Sequence, residues 1–103
     1  MELQGSLEVA VEHCQHRNLL EANGLRPADI VFDVYAIRIA GEDYRPGLFV
    51  LTERNSPTFA LIQHVYVYEK RVFFILLPWR TTAFENRYCA YRVESITGCH
   101  PVV

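Results

Sequence analysis

Hydrophobic and polar positions alternate most regularly between Thr58 and Trp79, in TFALIQHVYVYEKRVFFILLPW. Phe59, Leu61, Val65 and Val67 fall on one alternating set; Ala60, Ile62, His64, Tyr66 and Tyr68 fall on the other. β-Branched and aromatic residues dominate both sets, as they do in strands. The following run, Val72–Leu77, is apolar at every position. That is the pattern of a strand covered on both faces or enclosed in a small barrel. A buried helix is the rival reading of VFFILL, but the run is short and Pro78 follows it, which favours a strand. Glu69-Lys70-Arg71 is the polar cluster between the two arms, so the chain reverses there. The cluster lacks the Asn-Gly of a two-residue primed turn and predicts a longer loop or a bulge.

The rest of the chain reads as strands and caps laid against this hairpin. Leu7, Ala10, Val11 and Cys14 recur at helical spacing, and Asn23-Gly24 is a helix stop. LEVAV also alternates as a strand would. The reading taken is a short helix between Ser6 and Ala22, with Leu25–Asp29 as a connector marked by Pro27. Ile30–Ile39 predicts one strand and Ala40–Asp43 a turn. Pro46-Gly47 suits the two central positions of a type II turn. Leu48–Glu53 predicts the next strand and Arg54–Pro57 a loop. Arg80–Arg87 reads as a polar loop or one helical turn, Tyr88–Glu94 as a last strand, and Ser95–Val103 as a tail. The expected fold is mainly β: a small SH3-like barrel, or a curled antiparallel sheet of about five strands, with a short N-terminal helix. A β-sandwich with one helix is the second choice. Residues 1–103 form a single domain, with residues 1–29 as helix and connector, 30–94 as the β core and 95–103 as the tail.

Composition narrows the classes further. Half of the 103 residues are hydrophobic and 13% are aromatic, which excludes a disordered chain. No apolar run reaches the roughly 18 residues needed to span a bilayer. The start, MELQGSLEVAVEHC, is acidic and lacks the basic and apolar regions of a signal peptide. The net charge of −2 is unevenly spread, with four bases against eight acids in residues 1–50 and six against four in residues 51–103. Cys14, Cys89 and Cys99 are odd in number and irregular in spacing, which argues against a disulfide scaffold and for an intracellular setting, cytoplasm or nucleus.

One resemblance emerges from the order of a strand, Gly41, Tyr44, Gly47-Leu48-Phe49-Val50, Pro57-x-Phe59-Ala60-x-Ile62, the apolar arm and Tyr88-x-Ala90-Tyr91-x-Val93. Across Ile30–Glu94 it resembles a β-rich module of uncharacterised animal proteins, some of them derived from mobile elements. It is similar, more distantly, to the core of BAH and other SH3-like chromatin-reader barrels, which place a Gly turn before a "gVxV" strand and follow it with an "xAxI" strand. The resemblance implies a binding module and supplies no site residues. The N-terminal segment departs from both patterns.

Candidate chemistry follows from particular residues. His13-Cys14-x-His16 and Cys99-His100 suggest zinc ligands if the ends meet, but the spacing matches no standard finger, and scattered surface His with buried Cys is the plainer reading. Cys89 and His64, both on expected strands, are the pair to examine for nucleophilic catalysis, although a Cys within an alternating strand is usually a core residue. There is no Gly-rich phosphate loop, HExxH or nucleophile elbow. Tyr66, Tyr68 and Trp79 near Glu69 suggest an aromatic cage for a methylated ammonium. Lys70, Arg71, Arg80, Arg87 and Arg92, interleaved with Trp79, Tyr88 and Tyr91, suggest nucleic acid, against a weak electrostatic footprint. Protein binding is best supported. Trp79, Arg80, Arg87, Tyr88, Tyr91 and Arg92 are expected to form an apolar, Arg-edged patch that meets a protein partner or a second copy. The bland alternative is that Trp79 plugs the barrel. No catalytic residue, metal, cofactor, membrane contact or small-molecule substrate is expected.

Overall fold

The computed structural model describes residues 2–51, 59–80, 83–84, 87–93 and 100–101. β1 (Glu2–Gln4) and β2 (Leu7–Ala10) lead through a 3-10 turn at Val11–His13 into α1 (Arg17–Ala22). β3 (Ile30–Val34), β4 (Ala36–Ile39), β5 (Glu42–Tyr44) and β6 (Phe49–Leu51) follow. The central hairpin is β7 (Phe59–Tyr68) and β8 (Arg71–Arg80), and β9 (Ala83–Phe84), β10 (Cys89–Val93) and β11 (His100–Pro101) complete the order. The larger sheet runs β10-β8-β7-β3-β2, with β6 on the first half of β7, β11 on β6 and β9 on β8. The smaller sheet is β1-β4-β5, and every pairing among the described residues is antiparallel.

The mainly β class and the central hairpin are therefore as the sequence predicts, and VFFILL is strand. Among the described residues the larger sheet does not close into a barrel. The reason is a break inside the predicted strand Ile30–Ile39. At Tyr35 the chain leaves the larger sheet, and β4 pairs instead with β1 and β5. The break is held by a bond from the Tyr35 backbone N–H to the Gln4 carbonyl at 2.9 Å. Gly5 permits this approach: it sits at φ +64°, and a Cβ there would lie 3.0 Å from the Tyr35 Cβ.

The N-terminal helix is shorter than expected. The residues read as its first half instead form β2, because Val9 pairs with Val31 and Leu7 with Asp33. What remains of the helix ends as the sequence predicts. The Leu25 N–H bonds to the Leu20 carbonyl at 3.2 Å and the Gly24 N–H to Glu21 at 3.0 Å, a Schellman pair with Gly24 at φ +95°. Leu25 and Leu20 are both buried beneath it.

The turns divide between agreement and correction. Pro46-Gly47 makes the type II turn, with Gly47 at φ +93° and a 3.2 Å bond from Leu48 N–H to the Arg45 carbonyl. The central reversal is tighter than predicted: Tyr68 pairs with Arg71, leaving Glu69-Lys70 as a two-residue turn with Glu69 at φ 54°. Ala40-Gly41 joins β4 to β5 with both residues at positive φ, the type I′ geometry that Asn-Gly fits best. Ala40→Asn should therefore stabilise the protein by about 0.5–1 kcal/mol in urea denaturation, because Asn tolerates this conformation where Ala does not. The Arg80–Arg87 stretch is not a simple loop, since Ala83–Phe84 pairs back on Trp79 and Arg80. His100–Pro101, within the expected tail, pairs with β6. The expected loop Arg54–Pro57 lies outside the described residues.

A bulge between Ile62 and His64 decides which side chains face where. Gln63 is the extra residue, so the phase of β7 shifts there. Ala60, Ile62, Val65 and Val67 all face one layer, not the split that strict alternation predicts. Phe59 and Leu61 instead share a face with His64, Tyr66 and Tyr68. Two cores result. One lies between the sheets, where Val65, Phe74 and Leu76 pack with Ile37 and Tyr44 of the smaller sheet. The other lies under the helical segment, where Tyr66, Phe73 and Ile75 meet Val11, Leu20 and Leu25. Each fully buried large side chain contributes about 1.5–3 kcal/mol of transfer free energy.

Candidate functional site

The helical segment covers only part of its sheet face, and the uncovered part carries the aromatic residues. Phe49 pairs with Leu61, Leu51 with Phe59, and Trp79 with Phe84, all on the face opposite the inter-sheet core. Their rings meet: Phe49 and Phe84 stack at 5.8 Å, and Trp79 stands edge-on to Phe84 at 4.8 Å. Phe49 and Phe59 are each 40% exposed and Trp79 is 37% exposed. Leu51, Leu61 and Leu77 are half-buried around them.

The expected binding residues do not form one patch. Trp79 belongs to the aromatic face. The side chain of Arg80 lies outside the described residues. Tyr91 packs against the inter-sheet core, and Arg92 is exposed on β10. Arg87 and Tyr88 line a separate hollow beside the helical segment. The basic residues do not align as a track, since Lys70 and Arg71 sit at the hairpin tip, where Arg71 lies 5.6 Å from the Tyr68 ring centre. The methyl-ammonium cage does not assemble: Tyr66 is buried, and Tyr68 and Trp79 lie at opposite ends of the hairpin.

A second cluster gathers at the bulge. His64 stacks on Tyr66 at 5.0 Å and its Nε2 lies 3.4 Å from Asp33 Oδ2. His16, buried, stands edge-on to His64 at 5.2 Å and to Tyr88 at 5.1 Å. Burial, reinforced by His64, pushes the His16 pKa down, with Asp33 pulling weakly the other way. Burial pushes the Tyr66 hydroxyl well up, with Cys14 and Asp33 adding to it. The thiol near these groups is Cys14, not Cys89. Pairing puts Cys89 beside Leu76 and His64 beside Ile75, on opposite faces of the sheet. Cys14 donates to the Ala10 carbonyl at 3.5 Å, and burial, with Asp33, raises its pKa. A thiol held protonated in this way is a poor nucleophile. Among the described residues no three His, Cys, Asp or Glu side chains are placed to hold a metal, and Cys99 lies outside them.

Compared with protein-family models, curated proteins and solved structures, the chain has no match. Among the described residues no helix is long and apolar enough to cross a membrane. What the chain does must therefore be argued from its surfaces. Sequence reasoning found Trp79 but missed Phe49, Phe59 and Phe84, which reach it only through strand pairing. It also missed Asp33 and the contact of His16 with His64, for which no spacing in the sequence gives a signal.

Proposed function

We propose that this chain is a non-catalytic interaction module that binds a protein surface, in the first instance a second copy of itself, through the aromatic face of Phe49, Phe59, Trp79 and Phe84. The observation that carries this is the exposure of three large aromatic residues in one cluster on a sheet face that the helical segment leaves open. Aromatic anchors set in apolar surroundings supply most of the binding energy in protein interfaces. In this reading the two packed sheets serve as the scaffold for the recognition face, the part expected of an SH3-like barrel. An intracellular setting is part of the same reading, and the free, protonated thiol of Cys14 fits a reducing compartment.

Sedimentation equilibrium tests the reading. The wild-type chain should gain mass with concentration, and high salt should not reverse the gain. A Phe49→Asp/Phe59→Asp variant should stay monomeric and keep the wild-type far-ultraviolet circular dichroism spectrum, although it should melt lower because the Phe49–Phe84 stack is lost. A wild-type chain that remains monomeric at its highest soluble concentration would overturn the reading. So would salt-sensitive retention on heparin without self-association, which is the behaviour of a nucleic-acid binder.

A further inference from the structure

We propose that the hollow between the helical segment and the start of β10 binds a small organic ester of phosphate or sulfate, with the oxyanion held by Arg17 and Arg87 and the organic group laid on Tyr88 and Leu19. The hollow is walled by the run from Cys14 to Leu19 on one side and by Arg87 and Tyr88 on the other. Its volume is about 460 Å³, within the range of small-ligand sites. A bare oxyanion, only a few times the roughly 30 Å³ share of one water molecule, would leave most of it empty.

Charge identifies the ligand class. The chain as a whole carries more acids than bases, with a net charge of −2. Among the described residues the hollow inverts that balance: two guanidinium groups line it, with Gln15 and Asn18 as further donors, and no described Asp or Glu does. Arg17 is turned through Nε toward Glu21 Oε2 at 3.2 Å, an exposed pair that leaves its two terminal nitrogens available. No carboxylate answers Arg87 among the described residues. His16 forms the back wall. Its pKa is lowered, so the ring is uncharged at neutral pH and the positive charge comes from the arginines. One guanidinium fork satisfies the two oxygens of a carboxylate, whereas two forks on facing walls suit the three free oxygens of a tetrahedral ester. The organic group has a prepared support, because Tyr88 is held edge-on to the buried His16 ring at 5.1 Å.

No residue of the aromatic face lines this hollow, so the two sites can be tested separately. The test is a heteronuclear NMR titration of the full chain with phenyl phosphate, phenyl sulfate and inorganic phosphate. Saturable shifts confined to residues 14–19 and 87–88 are expected, with both phenyl esters binding at least about fivefold more tightly than inorganic phosphate. Arg87→Gln and Arg17→Gln should each weaken the esters by about tenfold, because each removes a charge-assisted fork. Both sites are exposed, so melting temperatures should hold, and Arg26→Gln, away from the hollow, should bind as the wild type does. Absence of saturable shifts, shifts spread over all the arginines, or binding that survives the Arg17→Gln/Arg87→Gln double variant would overturn the proposal. Equal affinity for inorganic phosphate and the esters would overturn the organic group's place on Tyr88.

Discussion

Val65→Asp should leave the chain unable to fold at neutral pH. Val65 is fully buried on β7, paired with Val34 on one side and Phe74 on the other. The cluster around it is aliphatic and aromatic, and among the described residues no Lys or Arg is buried there. An unpaired carboxylate in such a site costs more than about 5 kcal/mol, against a total stability of about 5–15 kcal/mol for a domain of this kind. Burial raises the pKa of the introduced carboxyl, so the folded form binds a proton that the unfolded form does not. The deficit relative to wild type should therefore shrink as the pH falls toward about 4 and be largest above it. Val65→Thr keeps the shape and adds only a hydroxyl, and it should cost about 1–3 kcal/mol. Near-ultraviolet circular dichroism and urea denaturation read both variants. A Val65→Asp chain with wild-type spectra at pH 7 would mean that Val65 does not lie between two packed sheets.

The same position shows how far the sequence could be read. The hairpin was legible because β-branched and aromatic residues crowd two ten-residue arms with a polar turn between them. The faces were not, because nothing marks Gln63 as a bulge. Left out of the count, Gln63 lets Ala60, Ile62, Val65 and Val67 fall on one face; counted, it sends Val65 to the wrong one. The type II turn at Pro46-Gly47 was legible because two residues with restricted or permissive φ stand side by side. The Glu69-Lys70 turn was not, because Glu carries no signature for a positive φ. The break at Tyr35 was hidden inside IVFDVYAIRI, and its cause lies thirty residues away at Gln4 and Gly5. LEVA became strand and not helix because its partner, β3, lies beyond the helix it was thought to begin. The candidate surfaces follow the same rule. Trp79 could be picked out by type, but Phe49 joins it only through the pairing of β6 with β7, and Phe84 only through the return of β9. Local pattern specifies elements; which elements meet depends on long-range pairing that composition and spacing do not encode.

Phe73→Ala and Phe74→Ala should each remove about 3–5 kcal/mol, although the two side chains never share a core. Both are fully buried neighbours on β8, and the pleat sends them to opposite faces. The Phe74 ring lies 5.2 Å from that of Tyr44, so its loss opens a void between the two sheets. Phe73 packs in the cluster of Leu20, Leu25 and Tyr66, so its loss opens a void under α1. At roughly 4–8 °C per kcal/mol for a domain of this size, each variant should melt about 12–40 °C lower. Hydrogen exchange should then separate them, with faster exchange at Ile37 and Tyr44 in Phe74→Ala and at Leu20 and Leu25 in Phe73→Ala. The voids lie on opposite faces of β8 and share only that strand as a wall, so the two costs should couple by no more than about 1 kcal/mol in a double-mutant cycle, provided the doubly truncated chain retains a measurable folded population. A coupling well above that, or the same amides loosened by both changes, would show that one continuous core wraps β8 and that the smaller sheet and the helical segment are not independent covers of its two faces.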